Sequence, residues 1–345
     1  MTEIFYLKEP FHLESGEVLP SLHLAYTTYG WLNESRDNVV WVFHALTANS
    51  DPAEWWPGLV GQGKLIDPAK YFIVCVNMPG SCYGSIGPLS KDPDTGESYF
   101  HAFPFFTTRD MVKAYQRLRY ALGIRRIKLG IGGSMGGQQL LEWAIEEPRL
   151  FEHIVPIATN AFHSAWGIAF NESQRRCIEV DATWTDRGRW AGIEGMKVAR
   201  GLGLLSYRNY HIYDIHQRED DRRKLTDFKS SSYQVYQGEK LARRFNAFSY
   251  HTLTRSMDAH NVGRGRLSVA AALNTIQAHT LVIGIGTDIL FPLSEQQYIA
   301  AHINNARFVA IHSNYGHDGF LLENDSLTRI IGPFVEEAFI STSSV

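Results

Sequence analysis

Apolar runs of five or six residues alternate with helix-period stretches through much of this chain. Leu22–Tyr29 alternates apolar and polar positions and ends at Gly30. Val39–Phe43 is apolar throughout, and similar runs recur at 71–76, 126–131, 154–158, 280–284 and Ala306–Ile311. A strand alternates when one face meets water and reads as a continuous apolar run when both faces are covered. These runs therefore predict a mostly parallel sheet buried between layers. Residues 108–122 and 138–147 carry helical periodicity and predict crossovers between parallel strands. The fold class that follows is α/β, a mostly parallel sheet flanked by helices.

The alternation breaks near residue 164. From 164 to 275 no buried-strand run appears, and aromatic and charged residues dominate, Trp184, Trp190, Tyr207, Phe245 and Tyr250 among them. This predicts an inserted helical lid over 164–275, set on a core made of 1–163 and 276–345. The tail 341–345, four Ser or Thr residues and a valine, predicts a frayed end.

Bulk properties narrow the function classes. A chain of 345 residues, 44% hydrophobic and 20% charged, can bury a large core. Its 33 basic and 36 acidic residues give a net charge of −3, so neither nucleic acid nor an anionic membrane is an expected partner. The first ten residues lack the basic start and apolar core of a signal peptide. No apolar run approaches the roughly 18 residues of a membrane helix. Cys75, Cys82 and Cys177 are too few and too scattered for a disulfide framework or a zinc site. A reduced, cytoplasmic setting is expected, without a metal.

The chemistry centres on Gly132-Gly133-Ser134-Met135-Gly136-Gly137, between an apolar run and a helix-like stretch. Strand, Gly-x-Ser-x-Gly, helix is the layout of a nucleophile elbow. A serine hydroxyl is a weak nucleophile and must stand at a sharp turn where a histidine can reach it. Such a turn leaves no room for side chains at the flanking positions, and glycine tolerates strained dihedrals. A serine nucleophile also needs a base and an orienting acid, in the order Ser, Asp or Glu, His, each after a strand. Asp288 follows the run 280–284, and His317 follows Ala306–Ile311 in a glycine-flanked loop. His312, at the strand end itself, is the weaker candidate for the base. The expected oxyanion donors are the N–H of Met135, just after the nucleophile, and that of Leu46, after Val39–Phe43. Cys82 lacks an elbow and a base and is expected to be a packed thiol. The fold expected is an α/β hydrolase core with an inserted helical lid.

The segments His44-Ala45-Leu46-Thr47, Gly80-Ser81-Cys82-Tyr83-Gly84-Ser85-Ile86-Gly87-Pro88, Gly132-Gly133-Ser134-Met135-Gly136-Gly137, Asp288-Ile289-Leu290-Phe291-Pro292 and Gly316-His317-Asp318-Gly319-Phe320-Leu321 together resemble homoserine O-acetyltransferases of the MetX type. The likeness covers nearly the whole chain and includes Ala199-Arg200, Tyr207-Arg208, Tyr236-Gln237-Gly238-Glu239-Lys240 and Leu253-Thr254-Arg255-Ser256-Met257-Asp258 in the expected lid. The resemblance implies acetyl transfer from acetyl-CoA, as co-substrate with no bound cofactor, to the hydroxyl of L-homoserine, a step toward methionine. It implies a homodimer paired through the lids and a triad of Ser134, Asp288 and His317. It further implies that Arg200 holds the homoserine carboxylate, that Asp318 receives its amino group, and that Tyr207 lines the pocket. A guanidinium fork suits a carboxylate, which agrees. One position departs from the family pattern: Ile86 stands where threonine is usual, removing a hydroxyl and adding bulk near the expected acyl site. Relatives that use succinyl-CoA or L-serine, and ester or thioester hydrolases on the same core, are the alternatives; a binding module that kept the fold is a further one.

Overall fold

A computed structural model describes residues 2–341, with side chains to residue 336. Most of the tail expected to fray, 342–345, lies outside the described residues, and Ser341 ends the last helix. Eight strands form one sheet: β1 (Thr2–Leu7), β2 (Leu22–Tyr29), β3 (Val39–Phe43), β4 (Phe72–Val76), β5 (Ile127–Gly133), β6 (Phe151–Ile157), β7 (His279–Ile285) and β8 (Ala306–Ile311). Their spatial order is β1-β2-β4-β3-β5-β6-β7-β8. β2 runs antiparallel to both β1 and β4, and every other pairing is parallel.

The apolar runs behave as their period predicts. In β3 the side chains of Val39, Trp41 and Phe43 join the core on one face, and those of Val40 and Val42 join the core on the other. Trp41 meets Trp143 edge-on at 4.8 Å between ring centroids, which fastens a crossover helix to the sheet. That helix is α2 (Met135–Glu146), and α1 (Thr108–Ala121) lies beside it. A capping box explains where α1 begins: the Thr107 hydroxyl accepts from the Asp110 N–H while the Asp110 carboxylate accepts from the Thr107 N–H.

Two strands differ from the expected pattern. β1 is an antiparallel edge strand whose side chains are largely exposed, so it lacks the apolar run that marks a covered strand. β8 closes the other edge and is half exposed rather than covered on both faces.

Between β6 and β7 the chain runs through α3 (Ala165–Glu179), α4 (Ile193–Tyr207), α5 (Tyr210–Gln217), α6 (Lys229–Ala242) and α7 (Ala247–Asp258). The described residues of this stretch include no strand of the sheet. α4 packs against α3 and α6 and touches the turn that carries His317. Gly316, at φ +64°, sits so close to this cover that an added Cβ would lie 2.9 Å from the Tyr207 carbonyl oxygen.

Candidate active site

β5 ends at Gly133 and α2 begins at Met135, leaving Ser134 alone in the turn. Ser134 adopts φ 55°, ψ −126°, a region that costs a non-glycine residue about 1–3 kcal/mol. The surroundings fix it there. Its N–H donates to the Ile157 carbonyl at 3.0 Å, and its own carbonyl accepts from the Thr159 hydroxyl at 2.7 Å. The strain thus sits on the serine and not on the glycines, whose φ values are not in the left-handed region. Gly132 and Gly136 are required by contact instead. A Cβ on Gly136 would lie 2.2 Å from the Phe43 carbonyl oxygen, and one on Gly132 would lie 2.7 Å from the Gly136 backbone.

The loops after β7 and β8 bring Asp288 and His317 to the same sheet edge. His317 Nδ1 and Asp288 Oδ2 are 2.6 Å apart, and both residues are buried. The other oxygen, Oδ1, accepts the N–H groups of Leu290 at 2.8 Å and Phe291 at 2.9 Å, so the carboxylate cannot swing away from the ring. Thr287 ties the two loops together: its hydroxyl donates to the Ser313 carbonyl at 2.6 Å and accepts the Gly316 N–H at 3.2 Å. Burial alone would lower the His317 pKa, but the Asp288 charge and hydrogen bond, with help from Asp318, raise it above the ordinary value. His312, the rival base, is exposed and does not line the cavity.

Ser134 and His317 face a common cavity of about 90 Å³. Among the described residues the Ser134 hydroxyl makes no hydrogen bond to the imidazole. Such links commonly tighten only when substrate is bound. Leu46 lines the same cavity. Neither the Leu46 N–H nor the Met135 N–H has a hydrogen-bond partner among the described residues, as donors awaiting an oxyanion would. His44, buried and held neutral with its pKa lowered to about 4, shapes that loop. Its Nε2 accepts the Met78 N–H at 3.0 Å while Nδ1 donates to the Ala45 carbonyl.

The cover supplies the other wall. Arg200 and Tyr207 from α4, Asn171 and Gln174 from α3, and Asp318 beside His317 all line the cavity. Arg200 lies 5.5 Å from the Tyr207 ring centre, and Tyr207 lies 5.9 Å from the imidazole, ring to ring. Asp318 is not free: Arg208 Nε stands 2.9 Å from its carboxylate. Burial raises the Asp318 pKa, opposed by Arg208, His317 and Arg200. The role of Arg208 is not legible in sequence, because only the fold folds its side chain back onto the residue after His317.

Two expectations need correction or refinement. Ile86 is buried in the sheet core and is absent from the cavity wall. Its loop is turned away by bonds from the Ile86 N–H to the His23 carbonyl and from the Gly80 N–H to the Ile86 carbonyl. Cys82 is half-buried beside a different cavity, with its thiol pKa pushed up to about 11 by burial, so it is a poor nucleophile. Among the described residues no group of three or more His, Cys, Asp or Glu could hold a metal ion, and no helix is long and apolar enough to cross a membrane.

Residues 38–324 match the family described as alpha/beta hydrolase fold. The chain is 48% identical to a homoserine O-acetyltransferase of Cyclobacterium marinum over 97% of its length and 95% of the relative's. It superposes on the crystal structure of homoserine O-acetyltransferase from Bacillus anthracis with a TM-score of 0.89 at 23% identity, covering 97% of both chains. It superposes almost as well on esterase E22, with a TM-score of 0.87 at 22% identity over 97% of this chain and 99% of that one. At such identities these superpositions speak for the fold alone. The near-full-length sequence match decides between them, and the chain belongs to the homoserine O-acetyltransferase family of the alpha/beta hydrolase fold.

Proposed function

We propose that this protein transfers the acetyl group of acetyl-CoA to the side-chain hydroxyl of L-homoserine, a step toward methionine. His317 takes the Ser134 proton, and the serine oxygen attacks the thioester carbonyl. The Leu46 and Met135 N–H groups hold the oxyanion. The C–S bond breaks, and the proton on His317 leaves with the CoA thiolate, giving acetyl-Ser134. Homoserine enters next; His317 removes its hydroxyl proton, the new ester forms, and the proton returns to Ser134. Asp288 holds the imidazole in the tautomer that presents Nε2. No bound cofactor or metal takes part.

The observation that carries this reading is one small cavity lined by Ser134 and His317 together with Arg200 and Asp318. The first pair suits acyl transfer. The second suits a zwitterionic acceptor, with the guanidinium for its carboxylate and Asp318 for its ammonium, in competition with Arg208. Residues 164–275 act as a lid that keeps water from the acyl-enzyme. The exposed apolar side chains of Val198, Leu205 and Val235 on α4 and α6 fit pairing with a second copy in the cytoplasm. Sedimentation should give twice the chain mass, and a monomer at micromolar concentration would remove that part.

A panel of two donors, acetyl-CoA and succinyl-CoA, against two acceptors, L-homoserine and L-serine, tests the whole. The expected outcome is fast turnover only with acetyl-CoA and homoserine. Acetate release from acetyl-CoA at the same rate without an acceptor would make the protein a hydrolase.

A further inference from the structure

A second cavity, of about 250 Å³, adjoins the first and shares Arg200, Asp318 and Leu321 with it. Four cations line it, Arg200, Arg208, Lys240 and Arg244, against the single carboxylate of Asp318, which Arg208 already pairs. Among the described residues no carboxylate pairs with Arg200, Lys240 or Arg244. The nearest candidate along the chain, Glu239, is held by Lys197 at 2.9 Å. Arg244 is anchored where it stands: its guanidinium donates to the Thr47 carbonyl at 2.5 Å and to the Tyr83 hydroxyl. Thr47 directly follows Leu46, so the cationic rim touches the loop that carries an oxyanion donor.

In a chain of net charge −3 this is a local excess of positive charge around a space that shares Arg200, Asp318 and Leu321 with the cavity of Ser134. Like charges facing one cavity repel, and a polyanionic ligand offsets that repulsion. The reaction already calls for such a ligand. An acyl-CoA carries its phosphates at the far end of a flexible arm from the thioester. Binding energy gathered on that remote end positions the reacting carbonyl.

We propose that this cavity holds the phosphates of the acyl-CoA donor, with Lys240 and Arg244 as contacts. The proposal rests on the acetyl-transfer reading. It goes beyond that reading by separating a donor end, at Lys240 and Arg244, from the acceptor end, at Arg200 and Asp318.

The test compares acetyl-CoA with S-acetylpantetheine, which has the same thioester but no nucleotide, in the parent protein and in Lys240→Gln. Lys240 is exposed and makes no ion pair among the described residues, so the fold does not depend on it. The parent prefers acetyl-CoA. In Lys240→Gln that preference falls about tenfold, through KM for acetyl-CoA more than kcat, as expected for one lost charge-assisted contact. Inhibition by adenosine 3′,5′-bisphosphate weakens by a similar factor, and Lys240→Arg restores most of both. A preference within twofold of the parent in Lys240→Gln overturns the proposal. So does a rise in KM for homoserine instead, which would put Lys240 at the acceptor end. If neither donor acetylates homoserine, the acetyl-transfer reading falls and takes this one with it. If both donors serve the two proteins with the same preference, only the donor site is lost.

Discussion

The sheet edge and the helical cover face each other across one cavity, and they are built differently. On the sheet edge Ser134, Asp288 and His317 are each almost fully buried, at 6%, 6% and 4% exposure. The Ser134 backbone, the Asp288 carboxylate and the His317 loop are each fixed by hydrogen bonds to backbone groups or to Thr287. The cover offers Arg200 with no carboxylate partner among the described residues, an Arg208 that reaches across to Asp318 beside His317, and apolar side chains turned to solvent. A site whose atoms must meet within tenths of an ångström gains from the stiff edge of a parallel sheet. Recognition of substrate charge tolerates, and uses, side chains that exchange partners. On the reading proposed above, bond making falls to the sheet edge, and the choice of substrate to Arg200 on the cover together with Asp318 beside His317.

Substitutions on the two sides should therefore fail in different ways. The largest effect is expected from Asp288→Asn, with kcat falling by about 10⁴ because the imidazole loses its orienting acceptor. The pH profile checks the same contact. His317 acts as a base when neutral, so activity falls as pH drops through its pKa, which lies above the ordinary 6.5. Without the Asp288 charge the burial effect gains, and the acidic limb should move to lower pH. A limb that stays in place would assign it to another group. On the cover, Arg200→Gln should raise KM for homoserine by about 10–100-fold and change kcat much less, as for lost ground-state binding. Because Arg200 lines both cavities, a rise confined to KM for the donor would move it to the donor end and erase the division drawn here.

Legibility in the sequence follows the same division. Covered strands such as β3 and β7 announce themselves, because burial on both faces demands an unbroken apolar run. Strand-end positions then become readable by offset, which is how Ser134, Asp288 and His317 can be picked out at wide separations. β1 is not readable in this way, since an edge strand has one neighbour and no need of apolar residues on both faces. The source of the elbow's strain is also hidden. Sequence assigns it to the glycines, whereas the coordinates put it on Ser134 and give Gly132 and Gly136 a purely steric task. Within the cover, Arg200 and Tyr207 enter through family likeness, but helical periodicity does not say which polar residues turn inward. Arg208 on Asp318 and Lys240 on the second cavity depend on how α4 and α6 pack. Ile86 shows the converse error, since neighbourhood in sequence to a glycine-rich loop is not neighbourhood to the site.

The central claim is that Ser134 becomes acetylated while His317 and Asp288 activate it. Mixing the protein with acetyl-CoA alone, quenching in acid and measuring peptide masses tests this most directly. The account predicts a gain of about 42 Da on the peptide containing Ser134, lost on adding homoserine and absent in Ser134→Ala. A Ser134 peptide that stays at its unmodified mass, in a preparation that makes O-acetylhomoserine at full rate, would contradict it.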